Sequence, residues 1–200
     1  MAKQRLNIAD GFAAAVGTAT EILAAGGVML FPTETVYGIG VASDDSEALV
    51  KLRRLKRRDE GKPFQFLVAD LTMAESLGAV FPHPAKSLAA AFWPGPLTLA
   101  VPDSTGENSL GIRIPNAPFV LALCRKLAKA IVSSSANPAG EPPPLDADSA
   151  DVFGDEADLL VDGGRILAGS PSTVVKCLED GFEILRPGAI GAEAIAAAWR

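Results

Sequence analysis

FPTETVYGIG, residues 31–40, is the stretch on which the reading of this chain turns. It joins an apolar strand end to a proline, three hydroxyl side chains (Thr33, Thr35, Tyr37), the carboxylate of Glu34 and two closely spaced glycines. VML before it, residues 28–30, reads as a short buried strand, and Pro32 ends the ladder because proline has no N–H to donate. Gly38 and Gly40 carry no Cβ, so the backbone there passes close to another group. Two readings stand side by side: a hydroxyl-rich turn whose side chains cap backbone groups, and a binding loop.

Outward from this stretch, hydrophobic periodicity lays out the elements. Phe12, Val16, Ala19, Ile22 and Leu23 share one helical stripe within residues 9–25, and Gly26-Gly27 stops it. A second helix spans residues 44–57, with Asp44 and Glu47 as its cap signature and Ala48, Leu49, Leu52 and Leu55 as its core face. Strands are expected at 64–69, 97–101, 110–114, 130–133, 159–162, 173–178 and 182–185. Helices are expected from 71, at 84–92, at 118–128 and at 192–199. EPPPLDADSAD, residues 141–151, reads as a Pro-rich surface connector. Strands and helices intermix without a strict βαβ period. The fold class is therefore α/β, an open, twisted, mixed parallel/antiparallel sheet flanked by helices. With no repeat and no linker, residues 1–200 read as one domain.

Composition narrows the function. The chain has 200 residues, 48% of them apolar, and no apolar run reaches the length of a membrane span. The N-terminus shows no secretory pattern, and Cys124 and Cys177 form no CxxC pair, so a reduced cytoplasmic protein with buried thiols is expected. The net charge of −6 argues against a general nucleic-acid binder. Residues 51–62 nevertheless hold seven Lys or Arg against Asp59 and Glu60, a local +5 that leaves the remainder at −11. A basic focus on an acidic body suits a small polyanion such as a nucleotide.

Within that focus, Arg53 and Arg54 read as a solvated helix face, and cations near a helix C-terminus suit the macrodipole. Lys56, Arg58 and Lys62 straddle a turn at residues 61–63 that brings three cations toward one point, as a phosphate site requires. SSSANPAG, residues 133–140, follows a strand. It reads either as an Asn-Pro turn or as a loop whose hydroxyls and free N–H groups cradle anionic oxygens. Arg113 in GIRIP sits between apolar neighbours and needs an anion, either an internal Asp or Glu or a ligand group. No P-loop pattern occurs, and GIGVAS lacks the third glycine of a dinucleotide fingerprint. His83, the only histidine, lies in the FPHP loop without companions for a metal site or a triad. Chemistry here rests on positioning and electrostatics.

LKRRDEGKPF (55–64), FWPGPLTLAV (92–101), GIRIP (111–115), SSSANPAG, STVV (172–175) and LRPG (185–188) follow the opening stretch in an order and at spacings that resemble the YrdC-like threonylcarbamoyl-AMP synthases. The resemblance covers residues 28–188 and implies a sheet with a concave basic site. It also implies that L-threonine, bicarbonate and ATP, with Mg²⁺, are joined to give threonylcarbamoyl-AMP and pyrophosphate for tRNA modification. tRNA or a downstream threonylcarbamoyl-transferase machinery are the implied partners. On this resemblance Thr35, Leu67, Arg113, Ser133 and Ser172 match threonine-binding positions. Arg58, Lys62, Ser109, Ser135, Pro143 and Arg186 match ATP-binding ones. Lys56, Arg58, Ser135 and Asn137 form the catalytic set, and no residue is assigned to a metal. There are departures: Asp59 replaces a frequent proline, and Leu67 stands where some members place a threonine-contacting histidine. The length resembles the minimal form without an added C-terminal domain. Two alternatives remain at this point, an RNA-binding or ribosome-associated module of the same fold and a paralogue with altered or lost synthase activity.

Overall fold

The computed structural model describes residues 1–57, 63–178 and 181–199. Along the chain come β1 (Gln4–Asn7), α1 (Phe12–Ala24), β2 (Met29–Phe31), β3 (Gly38–Ala42), α2 (Ser46–Leu55), β4 (Gln65–Leu67), α3 (Leu71–Ser76) and α4 (His83–Phe92). Then follow β5 (Leu97–Pro102), β6 (Ser109–Arg113), α5 (Pro118–Leu127), β7 (Ile131–Ser135), α6 (Ala147–Ala150), β8 (Leu159–Asp162), β9 (Thr173–Cys177), β10 (Phe182–Arg186) and α7 (Ala192–Ala198). The described strands form one open sheet in the order β1-β8-β2-β3-β7-β4-β6-β5-β9-β10. Parallel pairs (β1–β8, β2–β8, β4–β6, β5–β9) alternate with antiparallel ones, so the sheet is mixed.

Alternation of side chains along each strand gives this sheet two different faces. On one face α1 and α5 pack Val16, Ala19, Leu23, Val120, Leu123 and Cys124 against Met29, Phe31, Leu67, Ile131 and Leu159. On the other, α4 and α7 cover Leu97, Leu99, Ile112 and Val175, while α2 and α6 cover Leu30, Ile39, Val132 and Leu160. The second face is covered along most of its width. The first is roofed by helices over the β8-β2-β3 side and left open over β4, β6, β5 and β9.

Several local details depart from the sequence reading. Gly38–Ala42 is a fully buried strand, not a loop. The close approach demanded of its glycines is to the Phe31 ring and to Ile131: a Cβ on Gly40 would lie 2.8 Å from Ile131 Cγ2 and 3.2 Å from Phe31 Cε1. The α2 cap is Asp45, whose Oδ1 accepts the Ala48 N–H at 2.9 Å; Asp44 instead pairs with Lys129 at 2.5 Å. His83 opens α4 rather than lying in a loop. The Pro-rich connector contains α6 and leads into a 3₁₀ turn, Asp151–Glu156. Cys124 and Cys177 are free and buried, and burial pushes the Cys124 thiol up to about 12. Among the described residues, no helix is long and apolar enough to cross a membrane.

Asp158 ties three separate segments together. Its carboxylate accepts from Lys3 Nζ, Lys51 Nζ and the Val28 N–H, each at 2.8 Å. Burial alone would raise its pKa, but these donors more than offset that and hold it at about 2. A carboxylate depressed in the folded state stabilises above its unfolded value and loses that contribution as pH falls through the folded one. Asp158→Asn should therefore be less stable than wild type in urea at pH 7, and the gap should close between about pH 4 and pH 2. A gap that persists unchanged at pH 2 would contradict this account.

Candidate active site

The open half of the first face forms a cleft of about 560 Å³. Its floor is one row of register partners running across the strands: Ser133, Gln65, Gly111, Ala100 and Lys176. At about 4.8 Å per strand, Ser133 and Lys176 stand roughly 19 Å apart along this row. Small residues in the middle keep the floor flat, and polar ones stand at either end. The cleft follows from period two. Ile131 lies under the helices, while Ser133 and Ser135, two and four residues on, share its face beyond the helical roof. Leu67 and Gln65 on β4 divide in the same way.

At one wall stands Arg113, 2% exposed. Its Nη2 lies 2.8 Å from Glu34 Oε1 and donates to Thr35 Oγ1 at 3.0 Å, and its Nε donates to the Gly95 carbonyl at 3.1 Å. The anion that this arginine required is thus Glu34, from the opening stretch. Glu34 Oε1 also accepts the Asn116 N–H at 3.0 Å. The Thr33 hydroxyl donates to the Val36 carbonyl at 2.7 Å, so the Thr35 hydroxyl, 2.8 Å away, donates to Thr33. Arg113 Nη1 donates to no described residue, leaving part of its fork for a ligand. Beyond Glu34 lies a second, mostly apolar cavity of about 590 Å³, lined among others by Ile8, Phe12, Pro32 and Phe119.

Across the floor, five polar side chains form a chain. Gln65 Nε2 faces Ser133 Oγ at 3.4 Å, and its Oε1 accepts from Thr98 Oγ1 at 2.9 Å. Thr98 Oγ1 lies 2.9 Å from Ser172 Oγ, which accepts from Arg186 Nη2 at 2.9 Å. Thr98, Ser133 and Ser172 are each buried to within 2% exposure, so these bonds are not optional: an unpaired buried hydroxyl is costly.

The third wall is the end of β7. Lys56 is buried, and its ammonium donates to the carbonyls of Ser135 (2.7 Å) and Asn137, with the Phe153 ring 5.9 Å away. The Asn137 amide donates to the Pro138 and Glu141 carbonyls, closing the turn on itself.

A family model named Sua5_yciO_yrdC, described as "Telomere recombination", matches residues 21–188. The chain belongs to the Sua5/YciO/YrdC family. A threonylcarbamoyl-AMP synthase of Bacillus subtilis (strain 168) is 37% identical over 193 residues, covering 91% of this chain and 56% of its own length. One of Chromohalobacter salexigens is 38% identical over 168 residues, covering 80% of this chain and 90% of its own. Among solved structures, P. abyssi Sua5 complexed with L-threonine superposes with a TM-score of 0.86 at 32% identity, covering 92% of this chain and 56% of that one. E. coli YciO, at 23% identity and a TM-score of 0.81 over 91% of this chain and 93% of its own, shares the fold. The chain spans little more than half the length of the Bacillus and P. abyssi relatives.

Of the residues that the Sua5/YciO/YrdC resemblance singled out, Thr35, Ser109, Arg113, Ser133, Ser135, Ser172 and Arg186 all line the one cleft. Lys56 and Asn137 stand behind Ser135 and shape its turn. Pro143 is half-buried outside the lining, and Leu67 is 1% exposed within the core under α1 and α5 rather than in the cleft wall. Arg58, Asp59 and Lys62 lie outside the described residues. The solvated face expected at Arg53 and Arg54 forms at Arg54, which is exposed and pairs with Glu156 at 2.7 Å, but not at Arg53, which is half-buried and stacks 5.4 Å over Phe64, a cleft residue. Glu34, Gln65, Thr98 and Lys176 were missed by sequence reasoning. A single polar residue at alternating spacing in FQFLV and PLTLAV is the signal that marks Gln65 and Thr98.

The Arg113–Glu34 pair makes a stability prediction. Removing one partner of a buried pair strands the other charge, at a cost of about 3–5 kcal/mol. Glu34→Ala should lose about that much in denaturant unfolding, and Glu34→Gln, which keeps an acceptor, distinctly less. Equal losses for the two variants would mean that charge plays no part.

Proposed function

We propose that this chain is an L-threonylcarbamoyladenylate synthase, an ATP-dependent nucleotidyltransferase that joins L-threonine, bicarbonate or CO₂, and ATP to give threonylcarbamoyl-AMP and pyrophosphate. The observation that carries the reading is the convergence of Thr35, Arg113, Ser133 and Ser172 with Ser109, Ser135 and Arg186 in one cleft. Residues from five separate segments meet there, each matching a substrate position of the family. The relatives named threonylcarbamoyl-AMP synthase and the relative solved with L-threonine support the same substrates.

In this reading the threonine carboxylate takes the free edge of Arg113 beside Thr35, and Ser133 and Ser172 meet the remaining polar groups. The neutral amine forms a carbamate, losing a proton when it captures CO₂ and releasing water when it captures bicarbonate. A carbamate oxygen then attacks the α-phosphorus in line, and pyrophosphate leaves. Such a displacement asks for alignment and charge neutralisation rather than a covalent nucleophile. Ser109 and Arg186 hold the nucleotide, with Pro143 against it. Ser135, held in place by the turn that Asn137 and Lys56 shape behind it, receives the phosphates together with Arg58 and Lys62. Mg²⁺ enters with ATP as part of the substrate, held by phosphate oxygens as is usual for this ion. The product passes in the cytoplasm to the machinery that modifies tRNA. Residues 1–200 act as one domain in this reading.

The test is pyrophosphate release with substrates omitted in turn. Release should require both threonine and bicarbonate, and an AMP-containing product should accumulate. A site built to hydrogen-bond a hydroxyl leaves its own polar atoms unpaired with an analogue that lacks one. Threonine should therefore exceed valine in kcat/KM by a factor on the order of 10⁴, and serine should fall short by roughly 10–200-fold. Comparable turnover of valine and threonine would overturn the pocket assignment; tight RNA binding without pyrophosphate release would favour the RNA-binding module.

A further inference from the structure

The hydrogen-bond chain on the cleft floor has a direction, and that direction decides what the two serines at its ends can offer a ligand. A guanidinium has donors only, so Arg186 Nη2 must give a proton to Ser172 Oγ. A hydroxyl carries one proton, and an amide oxygen none. Thr98 therefore spends its proton on Gln65 Oε1, 2.9 Å away, and the bond between Thr98 and Ser172 is made by the Ser172 proton. With Oε1 turned to Thr98, Gln65 presents Nε2 to Ser133 Oγ. Ser133 thus accepts from the floor and keeps its own proton.

We propose that Gln65 and Thr98 are positioning residues that set opposite polarities at the two serines: Ser172 faces the cleft as an acceptor only, and Ser133 as a donor. A ligand must bring an N–H or O–H to Ser172, which has no proton to give, and meets at Ser133 a proton that an oxygen lone pair can accept. On the reading under Proposed function, on which this step rests for its substrate, the first group is the threonine amine or hydroxyl and the second a carboxylate or carbamate oxygen. The chain also joins the two halves of the site. Arg186, on the nucleotide side, is bonded to the same Ser172 hydroxyl that meets the amino acid. The reversed arrangement, with the Gln65 amide turned over, would exchange the two roles. Thr98 would then donate to Ser172, which would release its proton to the cleft, and Ser133 would be held as a donor to the floor.

Two measurements decide between these polarities. In the ligand-free protein, NMR should find the Thr98 and Ser172 hydroxyl protons protected from exchange and the Ser133 proton exchanging freely. Protection of Ser133 with a freely exchanging Ser172 would overturn the proposal. Calorimetry with threonine in the presence of a non-hydrolysable ATP analogue gives the second readout. Thr98→Val, which keeps the shape and cuts the chain, should weaken threonine binding at least tenfold. Thr98→Ser, which keeps the hydroxyl, should stay within threefold of wild type. Gln65→Glu, which turns an acceptor toward Ser133 and captures its proton, should also weaken binding at least tenfold. Wild-type affinity in Thr98→Val, or equal losses in the valine and serine variants, would refute a positioning role. If the wild-type protein itself bound no threonine, the substrate reading would fail, while the hydroxyl-proton pattern would still settle the polarity.

Discussion

A guanidinium with 2% exposure cannot stand in a sheet without an anion, and this requirement organises the molecule around Arg113. Glu34 supplies the charge from the turn after β2, so β6 and the 33–36 segment are held in one place although 78 residues separate Thr35 from Arg113. Asn116 N–H fixes the same carboxylate from the β6–α5 connection. The pair lies where the helical roof ends. On one side of it are Phe31, Leu67 and Phe119 in a dry core, and on the other an open floor of Ser, Gln, Gly and Ala. Buried ion pairs add little net stability, but they strongly penalise any arrangement that separates the partners. Here that penalty falls on misplacing the two segments that bound the cleft.

The cleft is therefore a sheet face that the fold declines to cover. Small residues at Gly111 and Ala100 would waste core volume in a packed interior; on an open floor they leave room for a flat ligand. The electrostatics follow the same division. Arg113 is largely neutralised by Glu34. Lys56 is spent on bracing the turn behind Ser135. Arg186 holds Ser172 through both its backbone carbonyl and its hydroxyl. Cations from three distant segments thus do different work, some lining the cleft and some shaping its walls.

Much of this was legible in advance, for identifiable reasons. α1, α4 and α5 were readable because an apolar stripe at helical period must face a core, and their bounds fall within a few residues of expectation. β3 was not, because GIGVA is buried on both faces and shows no alternation. β1 was not, because QRLN is a mostly polar edge strand whose pairing with β8 is decided 155 residues away, at Gln4 and Leu159. The strand was expected to end at Ser133 and the following serines to open a loop, because hydroxyls suit turns; the ladder with Gly38 and Ile39 carries the strand on through Ser135 instead. Leu67 was placed in the pocket by its position in a pattern, whereas strand alternation and the helical roof carry it into the core.

By itself the sequence determined the chemistry available to the site: which hydroxyls, amides and cations exist, and that Arg113 would need a partner. It also determined the mixed α/β class, since short apolar runs and helical stripes are local properties of a chain. Only the tertiary structure decided that Glu34 is the protein's own charge beside Arg113. It also decided that Gln65 and Thr98 link Ser133 to Ser172, and that Lys56 grips carbonyls. These are contacts between segments tens of residues apart. Their formation depends on strand order and register, which the pairing of whole strands sets and no local pattern encodes.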